Sequence, residues 1–287
     1  MKKVLKNILI CLFMFSFVPL NVLAGEDYMI REYVQQGYIF SQRNEHEKAI
    51  ESFTKALKMD PTRGEIYLYR GMEKYDLGDI KGADKDFTDS IRINPRNAAS
   101  YYLKASTQAV LGNYKEALCL YDTTIKLNPN VIDSYFKRGR IKTFLKDYNG
   151  AMKDFTNVIN ISPSYESYFH RAEIREYMQD YQGAVSDYSM ALKYGEGDFK
   201  CYYNKGISEL KLKKYDISIK DFDKAIKLDN SFADAYYFRG LARGSISDYK
   251  NAMKDLNIAK NLYRTGNDNE SYEKTVNFIK KLESKGK

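Results

Sequence analysis

The sequence contains no tryptophan, two histidines and three cysteines, so it is poor in side chains that bind metals or act as nucleophiles. His46 and His170 have no histidine or cysteine companion at the spacing of a metal site. No serine or cysteine motif pairs with either histidine, and the glycines form no Walker loop or phosphate-binding fingerprint. We therefore expect no enzyme activity, no metal and no cofactor.

The N-terminal segment has the three parts of a secretory signal peptide. Lys2 and Lys3 give a positive start, an apolar run covers residues 8–20, and residues 22–24 (Val-Leu-Ala) offer a small-residue cleavage site. We expect cleavage after Ala24, which assigns residues 1–24 to the signal and residues 25–29 to a short lead-in. The mature protein is then exported, either to a periplasm or to the medium.

The same apolar run has two other interpretations. It is short for a membrane-spanning helix, and Pro19 stands near its end, so an uncleaved anchor is the alternative to cleavage. Ile10 precedes Cys11, where a lipoprotein signal needs a small residue, so we expect no lipid anchor. After cleavage the chain is expected to have no stable membrane span.

Basic residues outnumber acidic ones, 46 to 38, for a formal net charge of +8. Removal of the signal leaves 43 basic residues and a net charge of +5. This excess is spread along a chain with regularly spaced carboxylates, whereas nucleic-acid binders concentrate basic charge on one face. We therefore expect a mixed solvated surface and no nucleic-acid partner.

A 34-residue unit recurs along the chain, and a fixed period of this size indicates a stacked array of one supersecondary structure. Positions are numbered from the start of each copy, and one copy is a residue short. The seven copies occupy residues 30–63, 64–97, 98–131, 132–164, 165–198, 199–232 and 233–266.

Each copy is predicted to form two helices. The first covers roughly positions 2–14, and an aspartate or asparagine at position 16 is a good N-cap for the second. Gly78 and Gly112 suit the turn before that cap. The second helix is predicted to end at position 32, where Pro61, Pro95 and Pro129 lack an amide.

Large and small residues alternate in a way that predicts interlocking helices. Position 8 is glycine in five copies although glycine costs about 1 kcal/mol against alanine inside a helix. Position 20 is alanine or serine, and position 24 is Phe, Tyr or Leu. A large side chain that packs against a small one on the facing helix is how such a core interlocks.

The period, the small positions, the aromatics and the proline together resemble the tetratricopeptide repeat family. The usual Trp at position 4 is replaced by Tyr, and the usual Leu at position 7 mostly by Arg or Lys. The resemblance implies an all-α fold, a right-handed superhelix of antiparallel helix pairs whose first helices line a concave groove. It also implies binding of proteins or peptides rather than catalysis.

Residues 267–287 depart from the repeat and are predicted to form a capping helix over about 270–284. Asn269 is its expected N-cap, and Tyr272, Val276 and Ile279 form one apolar stripe. A stacked array needs such a terminal element with a polar outer side.

Cys119 and Cys201 lie three copies apart. Because stacked helices are spaced about 8–10 Å apart and a disulfide needs Cα atoms within about 7 Å, we expect no bridge between them.

Positions 5 and 9 of the first helix are predicted to face the groove, because residues four apart share one helical face. Five consecutive copies carry an aromatic residue at position 5. Together with position 9 they form a stripe along the first helices, the aromatic lane, which also includes a histidine, an arginine and a glutamate. The groove residues predicted are Leu68, Met72, Tyr102, Phe136, Arg140, Phe169, His170, Glu173, Tyr203, Ile207, Tyr237 and Leu241. The rings either anchor a partner or pack against the neighbouring helix, and the sequence leaves both open.

Position 7 is basic in copies two to seven, and position 23 is aspartate in five of them. We interpret this as a lane of structural ion pairs, with Arg138 and Asp154 as one example. The third copy, with Lys104 and Leu120, breaks the rule.

Three functions remain open at this point. The first is an exported scaffold that binds a protein or peptide in the groove, without a carboxylate clamp because positions 5 and 9 are mostly apolar. The second is a self-associating envelope protein, since a homo-oligomer is possible. The third is binding of a carbohydrate or a lipid-linked envelope ligand by the aromatic lane.

Overall fold

The computed structural model describes residues 25–195 and 198–284, and these residues form fifteen helices. The predicted signal peptide therefore lies outside the described residues. The helices are α1 (Gly25–Gln42), α2 (His46–Met59), α3 (Gly64–Asp76), α4 (Ile80–Ile93), α5 (Ala98–Val110), α6 (Tyr114–Leu127), α7 (Ile132–Phe144), α8 (Tyr148–Ile161), α9 (Tyr165–Tyr177), α10 (Tyr181–Tyr194), α11 (Phe199–Lys211), α12 (Tyr215–Leu228), α13 (Ala233–Ser245), α14 (Tyr249–Thr265) and α15 (Asn269–Glu283).

The prediction of an all-helical fold of stacked helix pairs is confirmed, and the described ranges contain no strand. Helix α1 includes residues 25–29, so the predicted lead-in is helical. None of the helices in those ranges is long and apolar enough to cross a membrane. The chain divides into two compact units, of which unit 1 ends at Asn113 and holds α1–α5, and unit 2 starts at Tyr114 and holds α6–α15. Within each unit, every helix packs against the helices that precede and follow it.

The large residue at position 24 packs against the small residue at position 8 of the same copy. A Cβ placed on Gly37 would lie 2.5 Å from the Phe53 ring, and one on Gly71 would lie 2.7 Å from Phe87. Real Cβ atoms do not approach so closely, and Phe53 and Phe87 are fully buried. The glycines are therefore kept because a side chain would not fit, as the sequence predicted.

Aspartates at position 16 cap the second helices. The Asp79, Asp147 and Asp180 side chains each accept a hydrogen bond from an amide of the first turn, and this bond satisfies a donor that the helix leaves unpaired. In the turns just before, Gly78 and Gly112 have φ of 86° and 81°. This left-handed conformation is one that glycine adopts without steric cost.

The second helices end two residues before the proline rather than at it. Helix α2 ends at Met59 and α4 at Ile93, although Pro61 and Pro95 stand at position 32. A proline disfavours the helical conformation of the residue before it, which explains why the predicted end was too late.

The predicted ion-pair lane is confirmed in five copies. Arg70 donates hydrogen bonds to Asp86 from Nε at 2.9 Å and from Nη2 at 2.7 Å. Arg138 forms the same bidentate interaction with Asp154. The others are Arg171–Asp187, Lys205–Asp221 and Arg239–Asp255. In the exceptional third copy, Lys104 reaches Asp84 of the preceding helix instead.

Two features of this lane were not predicted. In four copies a cation at position 11 gives the aspartate a second partner, as in the Lys142–Asp154 pair of 2.9 Å. The arginine also reaches position 25 of the preceding copy, as in the Arg138 Nη1–Asp122 contact of 2.5 Å. The arginine side chains therefore tie consecutive repeats together and are largely covered, so they form no free basic stripe.

His46 takes part in a polar cluster rather than in simple packing. Its Nδ1 lies 2.6 Å from the Glu73 carboxylate, which also accepts a hydrogen bond from Ser41. Glu73 is buried, and a buried carboxylate needs such partners.

Helix α15 is the predicted capping helix, with one correction. Its N-cap is Asp268, which accepts a hydrogen bond from the Ser271 amide, and Asn269 is the first helical residue. Ile279 is buried, and the charged residues of the other faces, such as Glu273, are exposed. The helix covers the last repeat with a polar outer side.

Candidate functional site

In unit 1, the predicted groove residues offer little accessible surface. Leu68 and Tyr102 are only 4% and 7% exposed. Leu68 packs with Ala83 and Phe87, and Met72 lies half-buried against the same cluster. These three predicted residues therefore contribute to the core of unit 1.

In unit 2, the position-5 rings of α7 and α9 are half-buried and packed edge-on. The Phe136 ring centroid lies 5.4 Å from that of Phe155 and 5.5 Å from that of His170, both in T-shaped geometry. Phe169 contacts His170 and the buried ring of Tyr188 in the same way. These contacts favour the packing interpretation for Phe136 and Phe169.

The position-5 tyrosines of α11 and α13 join a second aromatic group. Tyr203 lies 4.8 Å from Phe232 and 5.9 Å from Phe238, and the Tyr237 ring lies 5.2 Å from Phe238. Burial raises the pKa of both the Tyr203 and the Tyr237 hydroxyl. Ile207 and Leu241, at position 9 of the same helices, are half-buried.

The polar groove residues lie on α7 and α9. Arg140 is exposed at position 9, and Glu173 occupies the same position in the next copy. The Glu173 Oε2 atom lies 2.8 Å from His170 Nδ1, and about a third of each side chain is exposed, 35% and 31% respectively. A partner could therefore meet charges of both signs on this face.

The largest exposed rings on this face are at position 13, which the sequence prediction missed. Phe144 is 67% exposed and Tyr177 is 62% exposed. Position 13 lies one turn after position 9, so Phe144 follows Arg140 and Tyr177 follows Glu173 on the same helical face. The spacing could have revealed them, because positions 5, 9 and 13 continue one stripe.

Each exposed ring is supported by a tyrosine from position 17 of the preceding copy. The Tyr148 and Tyr177 rings are stacked, with centroids 5.2 Å apart and planes at 11°. The Tyr114 and Phe144 centroids are 5.0 Å apart. This support fixes the orientation of rings that are otherwise open to solvent.

The cysteine of α11 is poorly suited to act as a nucleophile. Cys201 is fully buried, and burial raises the pKa of its thiol to about 12, so the nucleophilic thiolate is scarce at neutral pH. Across residues 25–195 and 198–284, no group of three or more His, Cys, Asp or Glu side chains is placed to hold a metal ion. What the face supplies is rings and charges for binding.

Sequence profiles of the tetratricopeptide repeat match residues 32–63, 68–132, 132–165 and 199–232, together more than half of the chain. The chain is a tetratricopeptide repeat protein. Proteins of this family are generally non-catalytic scaffolds for protein–protein interaction. No curated protein sequence matches the chain.

Solved structures of tetratricopeptide repeat proteins have the same fold. A protein from Parabacteroides merdae is 19% identical with a TM-score of 0.59, and the match covers 87% of this chain and 99% of that one. The C-terminal part of a protein from Cytophaga hutchinsonii is 15% identical with a TM-score of 0.70, covering 86% and 98%. YrrB, described as a TPR protein with an unusual peptide-binding site, is 18% identical with a TM-score of 0.60, covering 67% and 97%.

Proposed function

We propose that this tetratricopeptide repeat protein is an exported scaffold that binds a protein or peptide segment on the first-helix face of unit 2. The binding face is formed by positions 9 and 13 of α7 and α9, that is Arg140, Phe144, Glu173 and Tyr177. The export part of the proposal rests on the signal-peptide pattern of residues 1–24.

The observation that carries the proposal is the pair of exposed rings, Phe144 and Tyr177. Aromatic side chains supply most of the energy at protein interfaces, and the strongest sites are rings that become fully desolvated on binding. A ring already in contact with a neighbouring tyrosine, stacked for Tyr177 and tilted for Phe144, loses little conformational freedom on binding. The two rings therefore have the properties of interface anchors.

The neighbouring charges define the chemistry of the partner. Arg140 is exposed, and Glu173 is partly exposed beside His170. A segment with two apolar side chains, flanked by an acidic and a basic residue, would match this order. The peptide-binding site in the description of YrrB shows that a protein of this fold can bind peptides, which supports the proposal.

Self-association is the second candidate, because Leu145 and Met178 extend the exposed apolar surface next to the two rings. These side chains are 46% and 45% exposed. Binding of a carbohydrate by the position-5 rings has less support, because Phe136 and Phe169 are half-buried and already packed against other rings.

Single substitutions test the proposal. Phe144→Ala and Tyr177→Ala should each weaken partner binding about thirtyfold, since the loss of an interface anchor typically costs about 2 kcal/mol or more. Neither change should lower the unfolding temperature much. The partner would be captured from the native envelope with the wild-type chain, identified, purified and titrated against each variant.

Two controls separate binding from folding. Phe136→Ala should lower stability because its ring packs against Phe155, and Lys281→Ala on α15 should change neither property. Unchanged titration by both ring variants would overturn the proposed face. A wild-type chain that sediments as an oligomer, and variants that sediment as monomers, would favour self-association.

A further inference from the structure

The second helices of unit 2 expose a lane in which every charged residue is a lysine. The lane consists of positions 22, 26 and 29, which lie on one face because they are four and three residues apart. Its other members in unit 2 are uncharged, such as Asn157, Ser186 and Ile258. The lysines of this lane, all exposed, are Lys126, Lys153, Lys193, Lys220, Lys224, Lys227 and Lys254.

The same positions in unit 1 show a different pattern. Glu51 and Lys55 form an ion pair of 2.7 Å, and Asp89 and Arg92 form one of 3.4 Å. In unit 1 these positions therefore include two carboxylates, each paired with a cation, whereas Lys58 and Lys85 add basic charge that is unpaired among the described residues. The difference between the units is that the lane of unit 2 has no carboxylate among its members.

Acidic side chains beside the lane do not cancel its charge. None of the seven lysines makes an ion pair among the described residues of unit 2. Asp122 and Asp223, one position before Thr123 and Lys224, are each bound by an arginine, at 2.5 Å from Arg138 and Arg239. Asp216 and Glu116 are exposed carboxylates one turn before Lys220 and Cys119, and these two cannot balance the seven lysines of the lane.

We propose that the lysine lane of unit 2 binds an anionic lipid surface. Clustered lysines are attracted to anionic headgroups by roughly 1 kcal/mol each, and they need no fixed geometry because each ammonium acts as a point charge. Met190 and the 41% exposed Ile258 add apolar contact within the lane. The lane has no arginine and no aromatic residue, which are the side chains that pair with bases and stack on them, so a lipid surface fits better than a nucleic acid.

Lys220, Lys224 and Lys227 are the centre of this surface. They follow one another at spacings of four and three on α12, and they form one stripe along that helix. Among the described residues, Lys224 also lies over the Tyr202 ring, 5.0 Å from its centroid. Their neutralisation should therefore leave the fold of the repeat intact.

The experiment measures partition of the mature chain onto phospholipid vesicles. Vesicles of phosphatidylglycerol and phosphatidylcholine in equal parts should bind the wild-type chain at low ionic strength, and added salt should release it. Vesicles of phosphatidylcholine alone should not bind it. The combined variant Lys220→Gln, Lys224→Gln, Lys227→Gln should lose roughly 100-fold in partition, as expected for three lysines.

A matched variant separates the lane from net charge. Lys200→Gln, Lys211→Gln, Lys213→Gln removes three exposed lysines from α11 and its following turn, in the same repeat. It should keep nearly all of the vesicle binding. Equal losses in both variants, or no loss in the lane variant, would overturn the proposal, and circular dichroism of each variant verifies that the helices are intact.

A nucleic-acid arm completes the test. If a DNA or RNA duplex binds the wild-type chain more tightly than the vesicles do, and the lane variant abolishes that binding, the lipid assignment is wrong. The lane is separate from Phe144 and Tyr177, so the lane variant should still bind the peptide partner. Failure of one proposal can therefore be distinguished from failure of the other.

Discussion

At the scale of single residues, Glu209 places a negative charge at a position where four other copies have a cation. Position 11 is a cation in four copies, where it pairs with the buried aspartate of position 23. In the sixth copy it is Glu209, which is 2% exposed and faces Asp221. Lys205 forms ion pairs with both carboxylates, at 2.7 Å from Asp221 and 3.3 Å from Glu209. Burial, with a smaller effect from Asp221, raises the pKa of Glu209 to about 7.

This raised pKa predicts that stability depends on pH in a defined window. In the unfolded chain a glutamate ionises near pH 4.3, so between about pH 4 and pH 7 the unfolded state loses its proton before the folded state does. The unfolding free energy should therefore fall as the pH rises, and the contribution is lost once the pH exceeds about 7. Glu209→Gln should be more stable than wild type by roughly 1–3 kcal/mol at about pH 8 and equal to it near pH 4.

Denaturant unfolding at a series of pH values measures this difference. Glu273→Gln on the exposed face of α15 is the matched control and should give no such difference. Glu209→Arg, which restores a cation at position 11, should stabilise at high pH as well. If Glu209→Gln changed the unfolding free energy by the same amount at both ends of the pH range, ionisation of Glu209 would not be the cause of the pH dependence.

At the scale of secondary structure elements, the strength of the ion pair that joins the two helices of a repeat can be measured. Asp154 is 1% exposed and is bound by Arg138 and Lys142. Removal of one partner from a buried ion pair costs about 3–5 kcal/mol because it leaves an uncompensated charge. A double-mutant cycle with Arg138→Ala and Asp154→Ala should therefore give a coupling energy above about 1 kcal/mol, the upper range for exposed pairs.

The matched control for this cycle is the exposed pair of Glu51 and Lys55, 2.7 Å apart on α2. Its coupling should be at most about 0.5 kcal/mol, as for other helix-surface pairs. Equal coupling energies in the two cycles would contradict the view that the buried lane holds α7 and α8 together.

The sequence predicted much of the elements because each rule repeats with the period. Glycine at position 8, phenylalanine at position 24 and the aspartate caps are local signals that appear several times, so chance matches are averaged out. The contact between Arg138 and Asp122 joins two copies, so the alignment of positions 7 and 23 within one copy does not reveal it. The His46–Glu73 pair occurs once, so no period could reveal it.

The candidate site was predicted less well for a physical reason. The period shows which helical face a residue is on but not how deeply it is covered, and Phe136 lies where a ring can fill the space beside Phe155. Phe144 and Tyr177 are at the last positions of α7 and α9, and they are the rings that remain exposed.

At the scale of the whole molecule, packing and ion pairs stabilise residues 25–195 and 198–284, in which no disulfide is formed. Cys119 and Cys201 are free, the first exposed and the second buried. Many exported domains rely on disulfides when their cores are small, whereas a stacked array gains a new interface with every repeat. Unit 2 therefore relies on the interfaces between its repeats rather than on a bridge between these cysteines.

Export itself remains a prediction, because residues 1–24 lie outside the described residues. Expression of the full chain in a bacterium with a general secretion system should yield a mature protein that begins at Gly25, since signal peptidase cleaves after small residues. Intact mass and N-terminal sequencing of the envelope fraction would show this start.

Ala24→Arg places a large cation at the cleavage site and should leave the leader attached, whereas Gly25→Ala, one residue later, should be processed normally. A mature wild-type chain that still begins at Met1 would refute cleavage, and the vesicle experiment would then have to be repeated with the three lysines of the leader present.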